Sequence, residues 1–198
     1  LSSGFFTTLP DRDGVIRRSP LILRHQDALY TSLALEMARV YLNAPFIKLQ
    51  TAICRGGMTC IESIQIGDRI IRTDENGRAL VPYKGRRESF TYVSASRVMR
   101  GELPAGTLKG AIVLVGTSAL GLADLRTTPL ETLYPGVEVH ANLVDAILQS
   151  TPGNQQFVYR PDWEPGATFV LLLVSGLLLA LLLPRLEPGY MIMVSGGW

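Results

Sequence analysis

Apolar and polar residues alternate in short blocks over the first 150 positions, and an unbroken apolar run lies near the end of the chain. Gly4 to Leu9 and Val15 to Leu23 read as strands, joined by Pro10-Asp11-Arg12-Asp13-Gly14, whose Pro, Asp and Gly supply turn geometry. A helix is predicted from Thr31 or Ser32, either of which can cap its first amides. Leu33, Met37, Val40 and Tyr41 share one of its faces, and Pro45 bars its continuation. Phe46 to Ile53 and Ile61 to Ile66 are predicted strands. Arg69 to Thr73 is expected to pair with Arg78 to Tyr83 across Asp74-Glu75-Asn76-Gly77, which makes the stretch a β-ribbon inserted in the domain. Further on, Ser94 can cap a short helix that ends at Gly101.

Ala111 to Val115 shows no polar alternation, as expected of a central strand covered on both faces. A loop and then a helix, Val137 to Gln149, complete a βα unit, in which a ligand would lie at the carboxyl end of the strand. The predicted fold class is α/β: a mixed sheet with flanking helices and a β-ribbon, followed by transmembrane helices.

From Gly166 to Leu183 the chain carries no charge, a length close to the roughly 30 Å hydrocarbon thickness of a bilayer. Residues 184–189 form a polar turn, and Tyr190 to Val194 begins a second apolar segment, cut off at Trp198. Arg185 would place that turn in the cytoplasm, with residues 1–165 outside the inner membrane. The expected layout is a folded domain over 1–150, a connector over 151–165, a span over 166–183, the turn, and the start of a second span over 190–198. A chain that opens on Leu1 without a secretory signal is expected to be a fragment.

The formal charge of +2, with Lys and Arg scattered among Asp and Glu, gives no support to nucleic-acid binding. Cys54 and Cys60 are separated by RGGMT, which is not a CxxC spacing and lacks a second ligand pair, so no metal site is expected. A small-loop disulfide would need an oxidising compartment, and free cysteines packed as small apolar residues are the commoner case.

The loop after Val115 invites three chemistries and fails the pattern of each. Gly116 and Gly121 have P-loop spacing, but Leu122 stands where the lysine belongs; Ser118 occupies the second glycine of a dinucleotide fingerprint; and Gly116-Thr117-Ser118-Ala119-Leu120 lacks the closing glycine of GxSxG. What remains is a hydrogen-bonding loop. Thr117, Ser118, Asp124 and Thr128, with His140 on the following helix, are the candidate ligand-binding residues, and no cofactor is implied. The competing and weightier reading is that the loop's polar groups satisfy their own backbone. His140 is expected to be hydrogen-bonded at the packed start of its helix, not a metal ligand. Asp11 and Asp13 read as a turn, because a calcium loop starting there would want Glu where Ile22 stands. At least one of Arg17 and Arg18 should pair with Asp11, Asp13 or Asp124.

The blocks PDRDGVIRRSPLIL, YTSLALEMARVYL, LKGAIVLVGTSALGLADLRTTPL and PGVEVHANLVDAIL, in that order before an apolar span, resemble the second type of CHASE domain (cyclase/histidine-kinase-associated sensory extracellular) over about Gly4 to Leu148. Ala52 to Glu62, with both cysteines, departs from that pattern. The resemblance implies an extracytoplasmic α/β sensor of bacterial transmembrane receptors, flanked by spans, with nucleotide cyclase, histidine kinase or Ser/Thr kinase outputs and a homodimeric state. It implies no particular ligand.

The leading expectation is therefore a sensory input module whose stimulus is a small molecule or an envelope protein, and whose output domain lies outside these residues. The alternatives are a membrane-anchored hydrolase using Ser118, His140 and Asp124, or a partner-binding membrane protein without signalling output.

Overall fold

The computed structural model describes residues 2–54, 57–117, 124–158 and 163–182, and the chain divides into two compact units, Leu1–Tyr159 and Arg160–Trp198. In chain order the first unit contains β1 (Arg18–Pro20), β2 (Ile22–His25), β3 (Ala28–Thr31), α1 (Leu33–Tyr41), β4 (Ile47–Ile53), β5 (Thr59–Ile66), β6 (Arg69–Arg72), β7 (Arg78–Leu80), α2 (Ala95–Met99), β8 (Leu125–Arg126), β9 (Tyr134–Pro135) and α3 (Gly136–Gln149). The second contains α4 (Glu164–Leu182).

The α/β class is as expected, but the strands form several small antiparallel sheets where one mixed sheet was predicted. Among the described residues they are β1–β7, β2–β3, the meander β4–β5–β6, and β8–β9. Parallel contacts are confined to the single bridges Phe5↔Ser32 and Val15↔Thr127.

The Asp74–Gly77 turn forms, with Gly77 at φ +69° and its amide bonded to the Asp74 carbonyl at 2.9 Å. Its two arms do not pair with each other, however. β6 adds to β5 through Ser63↔Arg72 to Ile66↔Arg69, whereas β7 turns away to pair with β1. Gly77 permits the parting: its carbonyl accepts from Leu21, and a Cβ there would meet the Ile61 side chain at 3.1 Å.

The segment 111–117 is not a strand. Val113 and Val115 are exposed, and no described strand runs alongside them, so the edge hydrogen bonds that define a central strand have no partner.

α1 starts where the sequence places it: Ser32 Oγ accepts from the Leu35 amide at 3.2 Å. Its buried face is nevertheless Ala34, Leu35 and Ala38, not the predicted stripe. The two alanines let α1 pack closely on α3, while Val40 and Tyr41 lie exposed beside Leu33, Met37 and Ile112 along an open groove. The core gathers Leu35 from α1, Leu143 from α3, Ile64 and Ile71 from the meander, and Ile16 and Leu21 from the segments flanking β1, among others.

α4 is uncharged after Glu164 and long and apolar enough to cross a membrane; the predicted turn and second span lie outside the described residues.

Ala38→Leu is expected to destabilise the domain by about 1–3 kcal/mol through overpacking, whereas Val40→Ala should change it by less than about 0.5 kcal/mol. Urea unfolding followed by circular dichroism measures both; the reverse order would restore the predicted stripe as the core face.

Candidate functional site

The amino end of α3 is built by three glycine-dependent or turn-dependent contacts. β8 and β9 pair through Leu125↔Pro135 and Arg126↔Tyr134, and the Gly136 amide donates to the Asp124 carbonyl at 2.8 Å. The Asp124 carboxylate lies close against Gly136, so a Cβ there would have to displace it. An acidic group at that place is favoured by the helix dipole, and no side chain caps α3 otherwise. Gly116 approaches Val137 in the same way, its Cβ position 2.6 Å from the Val137 Cβ. The loop therefore begins and ends at the first turn of α3. Its middle, with Ser118, lies outside the described residues.

His140 sits one turn further into α3 and is 8% exposed. Its Nε2 is 3.0 Å from the Phe6 carbonyl, which can only accept, so Nε2 carries the proton and donates. Nδ1 is then a bare acceptor, and it is buried without a hydrogen-bond partner among the described residues. Burial holds the His140 pKa below its ordinary value; the Phe6 bond and the Asp124 charge oppose that, and Arg126 adds to it.

The other candidates fall in different places. Asp124 is ion-paired with Arg126 at 3.3 Å. Thr117 is exposed at the start of the loop. Thr128 is buried and serves its own turn: Oγ1 donates to the Glu131 carbonyl at 3.0 Å and accepts from the Glu131 amide at 3.2 Å. The structure thus brings Thr117, Asp124 and His140 to one helix end and separates Thr128 from them in role.

Arg17 bonds Asp11 at 3.1 Å and Asp13 at 2.8 Å. The Arg17 bonds hold the Asp13 carboxyl down to about 2. Both carboxylates are engaged by a guanidinium, as suits a turn better than a cation loop. Arg18 is in β1 opposite Leu80. The turn is tied to the loop's exit, since the Ile16 amide donates to the Thr127 carbonyl at 2.8 Å.

A Ser118–His140–Asp124 triad is poorly served here. Its base must face the nucleophile with one ring nitrogen and the acid with the other, and Nε2 already serves the Phe6 carbonyl.

Sequence reading missed the polar stripe of α3. Glu138, 2% exposed, accepts from the Glu88 amide at 3.1 Å, the Ser89 amide at 2.8 Å and the Tyr92 hydroxyl at 2.8 Å. Asn142 Oδ1 accepts from the Lys84 amide at 2.9 Å, while its Nδ2 donates to Tyr134 Oη at 2.8 Å and to the Glu138 carbonyl at 2.7 Å. Asp145 pairs with the Lys84 ammonium at 2.8 Å. Burial pushes the Tyr134 hydroxyl up to about 12, and burial followed by the Glu138 bond raises Tyr92. The spacing of Glu138, Asn142 and Asp145 on one face of an otherwise apolar helix is the signal that could have found this clamp.

Of the two states left open for the cysteines, the bridged one is found. Cys54 and Cys60 are bridged, with Cα atoms 5.9 Å apart across the end of the β4–β5 ribbon, because antiparallel pairing sets Ala52 opposite Cys60 and brings the two side chains together.

Two outcomes are expected. Glu138→Gln keeps the shape but turns an amide group toward donors, so it should cost about 1–3 kcal/mol and speed hydrogen exchange at Glu88 and Ser89; unchanged exchange would remove the clamp. For His140, a folded pKa below the unfolded value near 6.5 means the stability is fully present above about pH 6.5 and is lost as pH falls below it. Urea midpoints at pH 7.5 and 5.5 should therefore differ more for the wild type than for His140→Gln, whose amide can still donate to Phe6.

Neither the curated proteins nor the solved structures give a match. The family model described as CHASE2 domain matches residues 1–181, further than the resemblance in the four sequence blocks, through the cysteine-bearing ribbon and into α4. CHASE2 domains are extracellular sensory domains of signalling receptors. Matched over nearly its whole length, with an α/β unit followed by one long apolar helix, this chain belongs to the CHASE2 domain family.

Proposed function

We propose that this chain is the sensory input module of a transmembrane receptor, in which stimulus binding at the amino end of α3 biases a cytoplasmic output domain outside these residues. The observation that supports the reading is the Asp124 carboxylate set against Gly136 at the start of α3 and, one turn on, the buried His140 Nδ1, which has no hydrogen-bond partner among the described residues. A small polar molecule with a donor for Nδ1 suits that place; an envelope protein presenting such a group is the other form of stimulus. The output reactions that fit the family are nucleotide cyclisation and phosphoryl transfer by a histidine or Ser/Thr kinase.

The bearing of α4 on this reading is its length and composition. Nineteen residues at 1.5 Å per residue span about 28 Å, close to a bilayer's hydrocarbon core. We place residues 1–165 outside the inner membrane of a bacterial cell, and the receptor as a homodimer. The connector carries Pro152, Pro161 and Pro165, a composition that limits slack between stimulus and span.

In the full-length protein, replacing those three prolines by Gly or Ser should leave basal output in place and remove its stimulus dependence. Asp124→Asn should shift the stimulus concentration giving half-response, within the roughly 5–150-fold range of typical coupling. Membranes carrying each variant are assayed for cyclic nucleotide formation and for phosphoryl transfer from ATP. A full reading frame with neither activity would overturn the receptor reading.

A further inference from the structure

The end of the β4–β5 ribbon holds a second cluster, on elements that take no part in the α3 site. Cys54 Sγ, Cys60 Sγ and a Glu75 carboxylate oxygen all lie within 4.8 Å of one another. The cysteines come from one hairpin and the glutamate from the turn between β6 and β7, so the linear spacing of Cys54 and Cys60 gave no sign of a third group.

The turn that carries Glu75 is firmly held. Asp74 Oδ1 accepts from the Asn76 amide at 3.0 Å and the Arg78 amide at 2.9 Å, and Oδ2 accepts from Arg78 Nε at 2.9 Å. The Thr73 amide donates to the Glu62 carbonyl at 3.2 Å, and Gly77 lies against Ile61. These contacts fasten the turn to β5 within two residues of Cys60. The ribbon's end is open to solvent, with Ile53 83% and Met58 69% exposed, and Cys54 and Cys60 themselves are half-buried, not enclosed in the core.

We propose that Cys54, Cys60 and Glu75 form a redox-gated zinc site, closed while the disulfide is intact and opened by its reduction. A dithiol reductant gives two electrons and two protons to the disulfide: the Sγ–Sγ bond breaks, two S–H bonds form, and the dithiol becomes a cyclic disulfide. Zn²⁺ then binds as the two thiols release their protons, and the carboxylate supplies the third ligand. Tetrahedral zinc needs Zn–S distances of about 2.3 Å and Zn–O of about 2.0–2.2 Å, which sets its ligand atoms about 3.3–3.8 Å apart. Sulfurs released from their bond can separate to that distance, and the carboxylate is already within reach of both. Water would take the fourth position, as at zinc sites with three protein ligands. Two thiolates and a carboxylate favour zinc over magnesium or calcium, which prefer all-oxygen sites.

The test uses the whole chain in detergent, reduced with a water-consuming phosphine so that no added dithiol competes for metal, and titrated with Co²⁺. The reduced protein should bind about one equivalent with a sulfur-to-cobalt charge-transfer band that Zn²⁺ abolishes, and the oxidised protein should show none. Cys54→Ser should lose the band, and Glu75→Gln, an exposed turn substitution, should weaken Zn²⁺ binding at least roughly tenfold while circular dichroism stays unchanged. No band in the reduced wild type, or equal affinity in Glu75→Gln, overturns the site.

Discussion

A carboxylate taken out of water costs several kcal/mol unless donors replace the hydration it loses, and Glu138 is 2% exposed in the first turn of α3. Its replacement donors all come from one distant stretch: the Glu88 and Ser89 amides and the Tyr92 hydroxyl. α3 can therefore bury this face only while residues 84–92 are in place. That stretch in turn has few other anchors in the core. Asn142 adds a second tie one turn on, fixing the Lys84 amide and Tyr134 together. The helix and the segment are thus one mechanical piece, and the β8–β9 hairpin, joined to α3 through Tyr134 and Gly136, belongs to it.

The sheets depend on that piece more than it depends on them. Two-stranded ribbons such as β1–β7 or β2–β3 are marginal alone and need a packed face to persist. Ile22 and Ala79 from these ribbons join the same buried cluster as Ala34, Leu35 and Ala38 of α1 and Leu143 and Ile147 of α3, and α1 packs on α3 through its alanines. Larger residues at those two positions would hold the helices apart and open the core between them. Of the outward stripe of α1, Val40 and Tyr41 remain exposed, while Met37 packs against the edge of the core.

That inversion shows how far sequence reading reaches. Local signals were legible: the Ser32 cap, the turn at Asp74 to Gly77, the extent of α3 and the apolar length of α4 all rest on interactions within a few residues. Partner choice was not, because it is a nonlocal competition. The arms of the Asp74–Gly77 turn had good hairpin chemistry, yet β6 gained more by extending the meander and β7 by pairing with β1. Ala111 to Val115 has the composition of a central strand and no neighbour among the described residues. At the site, Asp124 and His140 were recognisable as polar residues beside a loop, whereas Glu138 and Asn142 read as ordinary helix members. The cysteine bridge stayed undecided for a related reason: spacing alone does not reveal that Cys54 and Cys60 lie diagonally across the end of one ribbon.

The energetics of the helix end suit a sensor better than a catalyst. A buried acceptor without a donor costs about 1–3 kcal/mol, and His140 Nδ1 is such an atom. Under the proposed function, a ligand group that donates to it would regain that free energy only in the arrangement that lets it reach Nδ1. Differential binding of this size matches the 1–3 kcal/mol typical of coupling between sites, enough to shift two populations severalfold without strained chemistry. Because Glu138 and Asn142 tie α3 to residues 84–92, such a shift cannot be absorbed by one side chain. Under the proposed function, a shift of α3 would carry residues 84–92 with it, because the two are tied by these hydrogen bonds.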